Sequence, residues 1–564
     1  MIIALAAVQV CVYAALSALS FRFGPNSRPT ERPIPAMLAL LGLAFLCYWS
    51  ALRVVPKVRP SRHLFAFIVL SSLLFRAVSL VSWPILEIDI YRYIWDGAVT
   101  LQGISPYRYS PREVLSQGNL PDASPELDRL RRLQEGNATL HTILSRIHYK
   151  ELPTIYPPVS QAVFSLAVLI TPRKSDVIGY LLIMKTVLVL FDLATLGVVL
   201  ALLRSAGKHI GWAIAYGWCP LVIKEIANTG HLDSVAVFLT TSALYLAVRP
   251  MGERIPTARH GLFVLSSGLM AALAVGAKLY PLVLTPLFVA VWACAAGSRW
   301  ASVGTVAFVL TTAAVLRPMA PWGDVISLGH DQTDESVTAS DHSPPLPTDT
   351  AMPAPHRTTG LAAFLRRWEM NDLLFMLVAE NLKPAKDVPA DRRAWFSVVP
   401  ERWKERYVAA VAGLLGRPES EIPFLTARLI TMTAFLAILT VLTYRVRTSE
   451  IPAQWLRAAF LIIAWFWLLS PTQNPWYWLW ALPLVMFARS RAWWALAGFV
   501  IVYYLRFWFT FHWADQPVLD TPYTGSVFFD FTVTWLEYAP WFLWLAWDAL
   551  RGNAAEPKIQ EELR

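Results

Sequence analysis

Apolar residues along the chain fall into long unbroken runs rather than alternating or forming narrow stripes. Such runs occur at roughly 1–21, 35–54, 63–84, 177–203, 210–226, 232–249, 260–280, 281–297, 300–317, 424–446, 457–471, 475–488, 492–511 and 532–550. Their uniformity suits helices in lipid, where about 20 apolar residues cross the hydrocarbon core. The pattern predicts an all-α polytopic membrane protein of about fourteen transmembrane helices, with two long loops on one side. It divides into an N-terminal transmembrane hairpin over 1–60, a membrane module over 61–317 that includes a loop at 85–176, a second loop over 318–423, and C-terminal helices over 424–564.

The short polar connections set an orientation. Arg53, Lys57, Arg59 and Arg62, then Arg204 and Lys208, Arg249, Arg254 and Arg259, Arg445 and Arg447, and Arg489 and Arg491 cluster on loops that the positive-inside rule places in the cytoplasm. The segments 85–176 and 318–423 then lie on the opposite face, and both termini lie inside. Only the loop at 22–34, with Arg22, Arg28 and Arg32, runs against this orientation. The apolar run 157–171 opens on Tyr156-Pro157-Pro158 and is too short to span, which suits a half-buried segment on the outer face. The stretch 331–358 reads as a flexible Pro/Asp/Ser/Thr-rich insert, and 361–382 and 402–415 as amphipathic helices at the membrane surface. Asn137-Ala-Thr139 is a glycosylation sequon on the outer side.

Composition closes off a soluble globule: of 564 residues 56% are hydrophobic and 16% charged, with mean hydropathy +0.45. The net charge of +10 then reflects cytoplasmic loop ends meeting anionic lipid, and no nucleic-acid partner is expected. Cys11, Cys47, Cys219 and Cys294 lie inside apolar runs, so neither a disulfide framework nor a zinc site is implied. The first 21 residues lack a basic start and read as a spanning helix rather than a removed signal.

The most informative segment is 87–111, EIDIYRYIWDGAVTLQGISPYRYSP. A helix over 89–99 would put Asp89, Arg92, Tyr93 and Asp96 on one face, because they sit at i, i+3, i+4 and i+7. An interfacial helix anchored by Tyr and Trp explains the aromatics but not two carboxylates flanking a guanidinium. In Asn228-Thr229-Gly230-His231-Leu232-Asp233, helix capping would account for Asn228 or Thr229 but not for both His231 and Asp233. Lys278-Leu279-Tyr280-Pro281 closes another run; Lys278 can snorkel into headgroups or hold a phosphate as a point charge. Arg428 and Arg506, in the outer halves of apolar runs, are further candidate phosphate ligands. Lys185 and Asp192 lie mid-span, where mutual or neighbouring ion pairing is expected. Aromatics in Trp368-Glu369-Met370-Asn371-Asp372 and Ser470-Pro471-Thr472-Gln473-Asn474-Pro475-Trp476-Tyr477-Trp478 fit a membrane belt. No phosphate-binding glycine loop, H-E-x-x-H or paired C-x-x-C occurs, which favours a membrane-borne substrate over a soluble nucleotide.

Together these motifs carry a resemblance. DIYRYIWDGAVTLQGISPYRYSP, LPTIYPP at 152–158, GHLD at 230–233, KLYP at 278–281, WEMND at 368–372 and PWYWLWALP at 475–483 are similar, in order and spacing, to bacterial polyprenol-phosphate-dependent mannosyltransferases of the GT-C glycosyltransferase superfamily. Ser105 departs from the family's usual Asn, and 331–358 looks like an insert. The resemblance, over roughly 60–510, implies a GT-C-type bundle whose first long outer loop carries the catalytic acid. It further implies a polyprenyl-phosphate sugar donor, a lipid, glycan or protein acceptor, and action without a metal or other cofactor in a bacterial cell membrane. Asp89 then matches the general base and Asp96 the second acid, with Arg92, Tyr93, His231, Asp233, Lys278, Tyr280, Arg428 and Arg506 left as substrate-binding candidates. Two other classes fit the same residues: a secondary transporter using Lys185, Asp192 and Arg506, or a flippase or polymerase of lipid-linked polysaccharide.

Overall fold

The computed structural model describes residues 1–116, 124–251, 258–319 and 368–551. It is an all-α polytopic membrane protein. Among the described residues nine helices are long and apolar enough to cross a bilayer, and three shorter apolar helices span Pro158–Ile170, Asp233–Val248 and Tyr280–Ala296.

Five of the expected runs therefore do not form one span-length apolar helix, and their sequences explain why. The run at 210–226 is broken by Gly211, Gly217 and Pro220 into a 3-10 turn, a short α-turn and a π-helical turn over Ile223–Asn228. Prolines 475 and 483 turn 475–488 into two 3-10 segments, Pro475–Trp480 and Leu482–Phe487. Pro281 starts a 3-10 segment, Tyr280–Leu284, and regular helix begins only at Thr285–Ala296, with Pro286 in its first turn. Asp233–Val248 is simply short, with 16 residues. The last, Thr534–Arg551, is helical but carries Glu537 and Asp548. The surface helix expected over 361–382 is helical only at Leu374–Glu380 in its described part, whereas Glu401–Leu415 forms as expected. The insert 331–358 lies outside the described residues.

The chain forms two compact units. One comprises Met1–Ser71, Leu203–Leu221 and Glu369–Arg564. In it the helices Ile2–Ser20 and Ile34–Val54 pack together, with Gln9 donating to the Ala44 carbonyl at 3.1 Å, and Tyr48 reaches the Ala215 carbonyl at 2.9 Å. The other unit comprises Ser72–Leu202 and Val222–Trp368. Its helices Asp233–Val248, Ala258–Ala277 and Ser298–Leu316 lie side by side. Small residues permit this: a Cβ at Gly268 would meet the Gly304 carbonyl at 2.7 Å. This unit also holds a buried ion pair: both side chains of Arg76 and Asp192 are fully buried and meet through Nη2 and Oδ1 at 3.2 Å and through Nε.

Candidate active site

Within the second unit, the chain between the Arg62–Leu80 and Ile90–Leu101 helices is held at both ends. Lys185 Nζ donates to the Ser82 carbonyl at 2.6 Å. Asn228 binds three consecutive parts of the segment: its Nδ2 donates to Ser82 Oγ at 2.6 Å and to the Trp83 carbonyl at 2.8 Å, and its Oδ1 accepts from Ile85 N–H at 3.2 Å. The segment then makes a tight three-residue turn, closed by Glu87 N–H to the Ile85 carbonyl at 2.9 Å, with Leu86 at φ 67°. A bulky residue in that region is strained by on the order of 1–3 kcal/mol, and persists only where its surroundings over-determine it. The turn delivers Glu87 and Asp89 to the head of the helix.

Ile90–Leu101 forms because its apolar face is wide and one side packs on Pro158–Ile170. Gly97 allows the approach, since a Cβ there would stand 2.6 Å from the Phe164 carbonyl oxygen. The acid-base-acid stripe exists as the spacing predicts, but its members do different things. Asp89, half-buried at the helix start, accepts from the Tyr156 hydroxyl at 3.1 Å. Tyr93 is buried, stacked on Phe164 at 4.5 Å between centroids and edge-on to Tyr156 at 5.0 Å. Arg92 is engaged within the protein: its guanidinium donates to the carbonyls of Leu152 at 3.0 Å, His148 at 3.0 Å and Tyr149 at 2.8 Å. It clamps the 148–152 loop, where Tyr149 itself sits at φ 51°. Asp96 is buried behind it and accepts from Gln161 at 3.3 Å; burial pushes its carboxyl up to about 6, against the opposing pull of Arg92.

A second strand of the site comes from the turn 223–233. The helix Asp233–Val248 has Leu232 at its cap with no side-chain capping bond, so Asn228 and Thr229 are not caps. Instead Thr229 Oγ1 and His231 Nδ1 both converge on Glu225 Oε2, at 3.2 and 3.0 Å, and Lys224 Nζ reaches Glu225 Oε1 at 3.3 Å. Gly230 at φ 74° folds the chain back under Ile90, whose Cδ1 would stand 2.7 Å from an added Cβ. Lys278 pairs with Asp233 at 2.6 Å and also feels the charge of Asp89, while Tyr280 donates to Thr240 at 3.1 Å. Glu87 feels both Asp89 and the Lys224–Glu225–His231 group. Burial raises its carboxyl to about 7, with Lys224 the chief opposing influence.

Asp89, Tyr93, Asp96, His231, Asp233, Lys278 and Tyr280 therefore belong to one neighbourhood of one unit, together with Glu87, Tyr156, Lys224 and Glu225, which sequence reasoning did not single out. An adjacent Lys-Glu pair inside the apolar run 210–226 was the signal for two of these. Arg428 and Arg506 belong to the other unit. There Arg428 lies over the Phe424 ring at 4.8 Å, and Arg506 binds Asp530 through Nε at 3.2 Å and Nη2 at 3.3 Å. Lys185 and Asp192 do not pair with each other, because Asp192 takes Arg76 and Lys185 takes a main-chain carbonyl. Asn137 of the sequon caps the Ala138–Ser145 helix, accepting from Leu140 N–H at 3.0 Å.

Chemically, the cluster offers a half-exposed carboxylate steadied by a phenol, a second carboxyl poised near neutrality, and three nitrogen bases carried on acidic partners. Such a set can take a proton from a hydroxyl and stabilise an anionic leaving group. A family model for an alpha-(1->6)-mannopyranosyltransferase, N-terminal domain, matches residues 1–294, just over half of the chain and all of this cluster. Comparisons with curated proteins and with solved structures gave no match.

Proposed function

Given that the chain belongs to the MptA/B family of alpha-(1->6)-mannopyranosyltransferases, we propose that this membrane mannosyltransferase draws its sugar from a polyprenyl-phosphate donor and transfers it on the non-cytoplasmic face of a bacterial cell membrane. The observation that carries the mechanism is the Asp89 carboxylate, fixed by Tyr156 at 3.1 Å at the head of a helix and within electrostatic reach of Lys278.

An acceptor hydroxyl is a poor nucleophile near neutral pH. Asp89 accepts its proton as the hydroxyl oxygen attacks the anomeric carbon, while the bond from that carbon to the phosphate oxygen breaks on the opposite side and inverts the centre. The departing polyprenyl phosphate gains charge, which Lys278, Lys224 and His231 can offset in a water-poor setting. Lys278 is paired with Asp233 and Lys224 with Glu225, which His231 also contacts, so a bound phosphate would replace one anion contact by another. Asp233 and Tyr280 then face the sugar hydroxyls. Loop orientation supports the choice of face, and the apolar surroundings suit a prenyl tail.

The test is Asp89→Asn in purified enzyme with a mannosyl polyprenyl phosphate. Transfer should fall by about 10²–10⁴-fold, the usual contribution of a positioned base, while membrane insertion is unchanged. Near-normal turnover would refute the assignment. Assay in detergent also separates this reading from transport, which has no turnover without a sealed compartment.

A further inference from the structure

The connection at 22–34 runs against the orientation set by the other loops, and within the first unit its surroundings supply a reason. It joins the spans Ile2–Phe23 and Ile34–Lys57. Arg32 lies over the ring of Phe511, the penultimate residue of the span Ala492–His512, with its guanidinium carbon 5.6 Å from the ring centroid. Three span-length helices therefore end or begin around Arg32, which sets its depth at one boundary of the bilayer. Trp508, His512 and Trp513 pack on one another at the same helix end, centroids 4.9 to 5.8 Å apart, as aromatic residues at headgroup level do.

Charge on this connection is unbalanced. Its three arginines face one glutamate, Glu31, and that carboxylate takes Arg28 at 3.6 Å on the exposed surface. Asp530, beyond Phe511 in the chain, is held by Arg506 at 3.2 Å. Burial lowers the pKa of the Arg32 guanidinium, and no carboxylate acts on it in the opposite direction. The Arg32 Nε is buried without a hydrogen-bond partner among the described residues, whereas the side chain as a whole is half-buried, so its terminal Nη groups are the part a ligand can reach. The Phe511 ring attracts the charge but accepts none of these N–H groups in the manner of an oxygen. The helix Ile34–Val54 begins two residues later with no side-chain cap and no acid in its first turn, so its positive end adds to the same field.

This setting calls for an anion that arrives at headgroup depth. A guanidinium presents parallel N–H groups that match phosphate oxygens two at a time. Phe21, Leu43 and Leu46 are exposed on the two spans that the connection joins, an apolar surface for acyl chains that a soluble anion would not use. The same contact accounts for arginines on the side that the positive-inside rule disfavours, because a bound lipid anion balances them there.

We propose that Arg32 holds the phosphate of an anionic phospholipid, in a specific lipid site between the ends of the first, second and Ala492–His512 spans. The inference stands apart from the transferase reading, since it uses none of the residues around Asp89. The probe is phosphatidylglycerol added to the delipidated full-length protein in detergent and followed by native mass spectrometry, with a diacylglycerol of the same chains and inorganic phosphate as separate arms. Phosphatidylglycerol should stay bound to wild type, and the other two should bind about tenfold more weakly or less. Arg32→Gln should lower its retention about tenfold, and Arg32→Lys should keep part of it. Arg22→Gln removes the same charge from the other end of the connection and should change retention less than about twofold. Added phosphatidylglycerol should raise the melting temperature of wild type and not of Arg32→Gln. Equal retention of diacylglycerol would reduce the site to apolar packing, and displacement of the lipid by inorganic phosphate at equal concentration would make it a soluble-anion site. Either result, an unchanged Arg32→Gln, or an equal loss in Arg22→Gln from diffuse attraction alone, would overturn the proposal.

Discussion

Arg92 gives the sharpest contrast between what its position in the sequence suggests and what its contacts allow. As a substrate ligand it would be spent on phosphate; in the structure three carbonyls at 2.8 to 3.0 Å occupy it. Hydrogen bonds to a charged group contribute about 1.5–3 kcal/mol each. Three such bonds do not add, since water reaches part of the loop once the clamp opens. A loss of about 4 kcal/mol for Arg92→Met is the working figure, close to that for removing one partner from a buried charged contact. At about 2–4 °C per kcal/mol for mid-sized domains, this lowers the melting temperature by roughly 8 °C or more. Asp96 loses its nearest cation at the same time, so its carboxyl moves further above about 6. Because the clamped loop leads into Tyr156, the steadying partner of Asp89, kcat should fall while donor KM changes little. Arg92→Lys should recover only part of the loss, since one ammonium cannot span three carbonyls. Thermal unfolding in detergent and steady-state transfer kinetics test the pair of variants. A variant that melts like wild type but needs tenfold more donor would refute the clamp and restore Arg92 as a ligand.

Glu87→Gln tests the half-buried carboxyl beside the base. Its folded value of about 7 lies above the ordinary 4.5, so the native state holds a proton that the unfolded chain releases, and stability declines as pH rises from about 4.5 to 7. The variant should therefore be more stable than wild type at pH 8, by at most about 3 kcal/mol, with the gain shrinking toward pH 5; a gain that grows on acidification would contradict this. Gly97→Ala forces a Cβ to 2.6 Å from a fixed carbonyl, and overpacking of this kind costs about 1–3 kcal/mol, so both melting temperature and kcat should drop. An unchanged melting curve would mean the two helices separate freely. Asp192→Asn leaves Arg76 buried without its counter-ion, costing about 3–5 kcal/mol, whereas replacing both by Leu should restore most of it; limited proteolysis in membranes reads the difference.

Much of the architecture was legible because lipid imposes a strong and simple pattern. Runs such as 35–54 and 177–203 became helices where expected. Part of the excess in the helix count came from judging hydrophobicity without its punctuation: prolines at 281, 475 and 483 sit inside apolar runs and divert them into 3-10 turns. The stripe from Asp89 to Asp96 was readable from helical periodicity alone. The roles within it were not, because Arg92 is decided by carbonyls some 56 to 60 residues away, to which sequence spacing gives no clue. Glu87 was overlooked since it precedes the helix and lies off its periodic face. Glu225 was hidden by the opposite error, a charged residue passed over inside a run taken as uniformly apolar.

The fully buried contact between Arg76 and Asp192 also bears on how the chain is made. The arginine leaves the ribosome 116 residues before the aspartate, an interval on the order of ten seconds at roughly 5–20 residues per second. Throughout that time its segment carries a cation whose insertion alone is disfavoured by about 2.5–3.5 kcal/mol. The apolar residues of Arg62–Leu80 offset that cost, and the arrival of the second segment removes it. The contact therefore ties the seating of the earlier helix to the arrival of one made much later, so the two gain their full hold on the bilayer only as a couple.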